Sequence, residues 1–519
     1  MTASVTSSLT ETPLRPSHTA PIPVTALATL AGATILGNPG QTPQHQTLIT
    51  GITLRAQLVA PGDLFAALPS LAPSRPHGAD FAGIALTAGA VAVLTDPAGA
   101  HRAALAGATV PVLVHPDPRS VLGALSAHVF GNPSTQLAVL GITGTSGKTT
   151  TAFFLEAGLR TAGLVTGLLG TVALRIGEQH LRTRGGTTPE APDLQALLAL
   201  MVERGVTHLP MEVSSHALAL GRVAGTTFAV GAFTNLSQDH LDFHTDLEDY
   251  FAAKSRLFDG RAGAEVVCID DAWGQRLVTD KTATVSLAAG QATWHAVDLA
   301  AHRSGSQSFR VLGPGGFDQR ATVRLPGPFN VTNALLALAV AHAAGVDPEL
   351  VLPGIATAEV PGRMQRIEAG QSFLAVVDYA HKPAAVAALL DAVRAQVPGR
   401  LLVVLGCGGD RDTGKRLLMG AEAARHADLL VITDDNPRTE DPAVIRAAML
   451  AGARAGPAEV VEIADRAEAI AHAVTRAGLG DAVIVAGKGH ETGQHVQGVM
   501  YPFSDTEVLA AALADRSAR

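Results

Sequence analysis

Cysteine is almost missing from this chain, and its scarcity closes off two ways of holding a protein together. Cys268 and Cys407 are the only thiols among 519 residues. They are too few and too far apart for a disulfide framework or a cysteine-based zinc site, and they read as ordinary buried thiols. Long apolar runs are lacking too. The most apolar stretch, from Phe81 to Leu94, is shorter than a bilayer span and is bracketed by Asp80 and Asp96, so no transmembrane helix is expected despite a positive mean hydropathy. No basic stripe is present either. With a formal net charge of −8, the chain lacks what phosphate-backbone binding needs, so a nucleic-acid partner is excluded. Residues 1–24 are rich in Thr, Ser and Pro but lack the basic start and apolar block of a signal peptide. They read as a disordered leader, and the protein is expected in the cytoplasm without stable membrane insertion.

What is present is core-forming material. Hydrophobic residues make up 47 % and charged residues 16 %, which excludes wholesale disorder, and the length suits about three domains. In residues 25–136, short apolar runs (LFAAL at 64–68, VAVLT at 91–95, VPVLVH at 110–115) alternate with alanine-rich helical stretches, which predicts a small α/β domain. The turn-rich GNPSTQ at 131–136 ends it. In residues 137–361 buried strands are expected at HLPMEV (208–213) and VGAFTNL (230–236), shorter alternating runs after Ala292, and a helix from Asn330 through Ala344. In residues 362–519, FLAVVD, RLLVVLG, DLLVITDD and DAVIVAG alternate with amphipathic helices such as Pro383 to Val397, the pattern of a doubly wound parallel sheet. The expected fold class is therefore α/β in three domains: a small N-terminal α/β domain, a central α/β domain and a C-terminal Rossmann-like, doubly wound domain.

The strongest local signal is GITGTSGKTT at 141–150. Gly141, Gly144 and Gly147 let the backbone turn its N–H groups toward one anion, Lys148 can reach outer phosphates, and Thr149 is placed to hold Mg²⁺. A standard Walker A loop would carry glycine where Ile142 stands, so this is a variant P-loop in the central domain, with Gly144, Thr145, Ser146, Gly147, Lys148, Thr149 and Thr150 as the cradle for a nucleotide. Glu212, Asp239, His240 and Lys254 fall at predicted strand ends or nearby loops and suggest a metal and anion site. Taken alone, His240 also suits a capping or core histidine, and Lys254 a surface lysine pairing with Asp249 or Glu248.

GITGTSGKTT, TTPEAPDLQ, MEVSSHAL, TNLSQDHLDFH, AKSRLF, LPGPFNVTN, VPGRMQRI, DYAHKP, GCGGDRDTGKR, DDNPR and AGKGHE occur in the order found in the Mur ligases. The chain resembles that family over nearly everything after the leader, most closely its MurE branch. The resemblance implies that ATP phosphorylates a carboxylate of a UDP-N-acetylmuramoyl dipeptide and that the amino group of a diamino acid attacks the acyl phosphate. It implies catalytic work for Lys148, Glu212, His240 and Lys254. It also implies metal ligation by Thr149, Glu212, His240 and Lys254, the last if it carries a carbamate. Asn330, Asn333, Arg363, Asp378 and His381 would line the ATP site, although Asn330 also suits a helix cap and Asp378 a plain turn.

By the same resemblance Thr187, Thr188, Ser214 and Arg222 would hold the muramoyl peptide, while Gly186 and Leu220 depart from the Asn and Gln of some relatives. The usual Asp-Ser-Arg of the uridine site is here Arg55, Ala56 and Gln57, so backbone groups near Leu54 and His77 are expected to hold the uridine. Arg411, Asp435, Asn436, Pro437, Arg438, Gly487 and Glu491 match positions that hold the incoming diamino acid. Arg438 can pair bidentately with a distal carboxylate and Glu491 with a distal ammonium, which favours meso-diaminopimelate over L-lysine or L-ornithine. DDNPRTEDP is equally good turn and cap chemistry. The protein is expected to act as a monomer. A P-loop regulator without ligase activity would be the alternative of another class.

Overall fold

The computed structural model describes residues 14–36, 47–71, 74–102, 105, 108–181, 186–288, 290, 292–302 and 305–517. In the first domain five strands lie in the order Thr34–Leu36, Val112–Val114, Ala92–Thr95, Asp63–Ala66, Gly51–Thr53, parallel except for the first pair. Part of the expected leader belongs to this domain, which corrects the reading of 1–24 as disordered. Asp63 is buried and needs a counter-charge, and Arg15 supplies it through two contacts of 2.6 and 2.8 Å. The Ser17 N–H donates to Glu203 at 2.7 Å, and Ile22–Pro23 pairs with Leu48–Ile49. Residues 1–13 lie outside the described residues.

The central domain is built on an eleven-stranded sheet. Ala138–Thr143, the strand before the glycine loop, is flanked in parallel by His208–Glu212 and Phe228–Phe233. Glu212 pairs with Ile142 and Phe233 with Thr143, so three strands end together. The helix Lys148–Thr161 leaves the loop and packs on the helices Pro328–Ala343 and Pro348–Thr357. The alternating runs after Ala292 form Trp294–Ala301, Gln307–Leu312 and Asp318–Val323. They extend this same sheet, joined to each other antiparallel.

The third domain carries a six-stranded sheet in the order Gln365–Arg366, Leu374–Asp378, Ala482–Ala486, Leu401–Leu405, Leu429–Ile432, Glu459–Glu462. All but the first strand run parallel, and apart from the edge strand Glu459–Glu462 these strands read as near-continuous apolar runs because helices cover both faces. The last parallel strand enters between the first and second, which aligns the loops after Asp378, Leu405, Ile432 and Ala486 along one edge, where open α/β sheets bind ligands. Among the described residues no helix is long and apolar enough to cross a membrane.

Beneath that edge lies an ionic pin. Arg466 and Asp505 are both fully buried and meet through two contacts of 2.7 Å, and the Arg466 guanidinium also donates to the Ala486 carbonyl at 2.9 Å. Removing one partner of a buried pair strands the other charge. Arg466→Met is expected to cost about 3–5 kcal/mol in urea denaturation. A loss below about 1 kcal/mol, the range of exposed pairs, would contradict the pin.

Candidate active site

The glycine loop is closed by backbone geometry that only glycine supplies without strain. Gly144 has φ 141° and Gly147 φ 88°. A Cβ at Gly144 would lie 1.9 Å from Thr234 Oγ1, and one at Gly147 would lie 2.5 Å from Asn333 Oδ1. Asn235 ties the loop down: its carbonyl accepts the Thr145 N–H at 2.8 Å and its side-chain oxygen the Ser146 N–H at 2.9 Å. These two N–H groups are therefore engaged within the loop, so the expectation that the whole cradle turns its donors to an anion is narrowed. The helix Lys148–Thr161 starts without a side-chain cap, which leaves the first-turn donors of Lys148, Thr149 and Thr150 as the anion-binding end.

Cations converge on this loop from both domains. Lys148 donates to the carbonyls of Gly144 at 2.8 Å and Thr145 at 3.1 Å. Lys254 donates to the same Gly144 carbonyl at 2.8 Å and lies 4.4 Å above the Tyr250 ring. Lys382, from the third domain, donates to the Thr145 carbonyl at 3.1 Å and pairs with Asp239 at 2.8 Å. Arg363 lies 4.3 Å over the Tyr379 ring and reaches Thr149 Oγ1 at 3.4 Å. Burial, followed by the charge of Lys382, lowers the Lys148 ammonium to about 8. Burial and the neighbouring Lys148 and Lys382 push Lys254 well below the ordinary lysine value.

The surface alternative for Lys254 is thereby excluded. The residue is 1 % exposed, while Asp249 faces His244 and Glu248 pairs with Arg276 at 2.9 Å.

Two carboxylates balance part of this charge. Glu212, 1 % exposed, accepts from Thr149 Oγ1 at 2.9 Å, the Thr171 N–H at 3.0 Å and Thr171 Oγ1 at 3.1 Å. Asp239 lies between Lys382 and His240, 3.2 Å from the His240 ring; burial opposes its ionisation, but Lys382, His240 and His381 outweigh that and hold it well below the usual carboxylate range. His240 has φ 53°. Burial is the main cause that takes its imidazole down to about 3, so it is neutral, as a metal ligand must be.

Among the described residues no group of three His, Cys, Asp or Glu side chains is arranged to hold a metal ion. The donor set instead suits Mg²⁺ that arrives with phosphate: Thr149 Oγ1 and Glu212 supply adjacent oxygens, and Mg²⁺ needs only one or two protein carboxylates besides waters and phosphate.

Of the residues expected at the ATP site, Asp378 accepts the N–H groups of Met364 and Ala380, each at 2.7 Å, and burial raises its carboxyl. His381 donates from Nδ1 to the Tyr379 carbonyl at 2.7 Å, and burial takes its ring to about 3. Asn330 lies inside its helix and not at the cap, with Nδ2 on the Pro326 carbonyl at 2.8 Å; its Oδ1 accepts from Asn333 at 3.1 Å.

The residues expected to hold the peptide gather around Glu212. Thr188 Oγ1 donates to the Glu212 carbonyl at 3.0 Å and accepts the Ser214 N–H at 3.1 Å. Thr187 Oγ1 meets Thr171 Oγ1 at 2.9 Å, and Arg222 lies 2.8 Å from Glu190. In the first domain Leu54 packs at the edge of the core. His77 has both ring nitrogens engaged, Nδ1 accepting the Ala79 N–H at 3.0 Å and Nε2 3.0 Å from Asp96.

The third-domain residues form a separate network. Asn436 Nδ2 donates to Glu491 at 2.8 Å, and the fully buried Lys488 ammonium donates to Asn436 Oδ1 at 2.9 Å and Glu491 at 3.0 Å. Gly487, at φ 115°, passes so near Asp435 that a Cβ would lie 2.6 Å from its carboxylate. Arg438, at φ 55°, follows the buried Pro437 and donates its guanidinium to the Gly409 carbonyl; its own N–H reaches the His495 carbonyl at 2.9 Å. Arg411 is exposed and touches the Asp410 carbonyl at 3.4 Å. Sequence reasoning left out Asn235, Lys382 and Lys488, each inside a quoted motif, and Thr171, which no motif marked.

A glycine loop at the carboxyl ends of the parallel strands of one mixed sheet, faced by cations and a polar network from a second, defines the class as a P-loop ATP-dependent ligase. The chain belongs to the Mur ligase family: the Mur ligase middle domain matches residues 142–341, and the domain described as Mur ligase, glutamate ligase domain matches 362–489. It is 51 % identical to the UDP-N-acetylmuramoyl-L-alanyl-D-glutamate--2,6-diaminopimelate ligase of Corynebacterium glutamicum, over 94 % of this chain and 97 % of that one. A solved structure of a ligase bearing the same name is 33 % identical, with a TM-score of 0.65 over 93 % of this chain and 98 % of that one. The MurF ligase of Thermotoga maritima, solved with ADP, shares the fold at 18 % identity and a TM-score of 0.61, over 91 % of this chain and 97 % of that one.

Gly144→Ala places a methyl against Thr234 and is expected to weaken ADP affinity at least about tenfold, equivalent to about 1.4 kcal/mol, by calorimetry. An unchanged affinity would contradict the cradle.

Proposed function

We propose that this chain is an amide ligase that uses ATP to join meso-2,6-diaminopimelate to UDP-N-acetylmuramoyl-L-alanyl-D-glutamate, a cytoplasmic step of peptidoglycan precursor assembly. The observation that carries the reading is the convergence of Lys148, Lys254, Lys382 and Arg363 on the glycine loop, with Glu212 and Asp239 as the partly compensating carboxylates. The names of the relatives at about half identity support the substrates.

The first-turn donors of the helix at Lys148 and the surrounding ammoniums orient the phosphates and neutralise charge that spreads over the transferred group. Mg²⁺, held by Thr149 and Glu212 with His240 and a carbamylated Lys254 as further ligands, would supply additional charge neutralisation on the phosphates. A carbamate forms when the free amine of Lys254 adds to carbon dioxide and loses a proton. It would replace a cation that shares an acceptor with Lys148 by an anion. Thr187, Thr188, Ser214 and Arg222 hold the muramoyl peptide with its carboxylate toward the loop. Uridine is held by backbone groups near Leu54 and His77.

The third domain presents the amine. Asn436 and Lys488 fix the Glu491 carboxylate, which can take the distal ammonium, and Arg438 is clamped to Gly409 with its fork available for the distal carboxylate. Arg363 and Lys382 bring the third domain onto the glycine loop, where it helps keep water from the acyl phosphate.

With ATP, Mg²⁺ and the UDP-muramoyl dipeptide, phosphate release is expected with meso-diaminopimelate. Release only with L-lysine or L-ornithine would overturn the choice of amino acid, and release with none would overturn the ligase. Arg438→Ala is expected to raise the KM for diaminopimelate at least about tenfold while leaving that for ATP within about twofold. Equal weakening of both would contradict its role.

A further inference from the structure

One of the cations that converge on the glycine loop comes from the other domain, and its place there says which phosphate it meets. Lys382 stands between the third-domain strand Leu374–Asp378 and the helix Pro383–Arg394, where it is the residue before the first helical turn. Proline at the next position holds it extended, at φ −130° and ψ 147°, so its side chain leaves the third domain from a fixed point. It crosses to the central domain, where its ammonium meets the Thr145 carbonyl at 3.1 Å and Asp239 at 2.8 Å. Lys382 is 8 % exposed. Lys148 donates to that same Thr145 carbonyl, so two ammoniums from different domains share one acceptor in the loop.

A lysine placed only to tie two domains together would be expected to sit apart from other cations. This one shares an acceptor with Lys148 and lies near Arg363, and Lys415 donates to the carbonyl of the adjoining His381 at 3.2 Å. Such crowding is relieved by an anion, and a terminal phosphate is the anion this loop is built to receive.

We propose that Lys382 is a phosphate-contacting residue supplied by the third domain. Its ammonium passes from Asp239 and the Thr145 carbonyl to the terminal phosphate of a bound nucleoside triphosphate, a short move within a contact the two domains already make. The inference rests on the nucleotide-site reading above and adds to it how the third domain distinguishes a triphosphate from a diphosphate.

The test uses the full chain with Mg²⁺ and compares ADP with a non-hydrolysable ATP analogue by calorimetry. The wild type is expected to bind the analogue more tightly than ADP. Lys382→Met is expected to cut the analogue-to-ADP affinity ratio at least about tenfold while keeping ADP affinity within about twofold. Lys382→Arg is expected to restore most of the ratio. If Lys382→Met fails to fold, Lys382→Gln keeps a donor for Thr145 without the charge and carries the same expectation. An unchanged ratio, or equal loss for ADP and the analogue, would overturn the role of Lys382 and leave the nucleotide site standing. A wild type that binds neither nucleotide would overturn both.

Discussion

The alignment of three parallel strands at their carboxyl ends is the constraint on which the site depends. Because Ala138–Thr143 pairs with His208–Glu212 on one side and Phe228–Phe233 on the other, the glycine loop, Glu212 and the Thr234–Asn235 corner emerge at one level. Thr234 then sits where only glycine can occupy position 144, and Asn235 can accept two loop N–H groups. A register slip of one residue would send the side chains of a strand to the opposite face, taking Glu212 away from Thr149. The phosphate cradle is thus a product of sheet register as much as of the loop's own sequence.

Electrostatics explain why the cradle is completed from two domains. Several ammoniums in a buried place disfavour their own charged forms, as the lowered values of Lys148 and Lys254 show. The folded protein bears that cost with Glu212 and Asp239 in partial compensation. The arrangement is poor as a stability device and good as preorganisation for an anionic ligand, whose binding repays desolvation already incurred in folding. The third domain contributes Arg363 and Lys382 to the same place, while Asn436, Lys488 and Glu491 form a polar network of their own.

Much of this was legible in the sequence, and what was not has physical reasons. Buried parallel strands announce themselves as apolar runs, which is why FLAVVD, RLLVVLG and DAVIVAG could be located without coordinates. The strand order could not, since an identical run can enter at an edge or, as Ala482–Ala486 does, between two earlier strands. The start Leu14–Val24 read as disordered because Arg15 reveals nothing locally about Asp63, its partner across the first domain. Lys382 was in plain view in DYAHKP, but Asp239 and Thr145 lie far away in the chain. Lys254 shows the converse: its sequence neighbours offered two carboxylates, and burial took it away from both. The family resemblance placed residues by motif order, while contacts such as Thr171 with Glu212 came only with the fold.

The central claim is that this cradle transfers a phosphoryl group to a carboxylate before the amine attacks. It is tested most directly by labelling the reacting carboxylate of the UDP-muramoyl dipeptide with ¹⁸O and analysing the phosphate released during turnover by mass spectrometry. An acyl phosphate leaves one carboxylate oxygen on phosphate, so the account predicts one ¹⁸O atom in each phosphate formed. Phosphate free of ¹⁸O while amide product accumulates would contradict it.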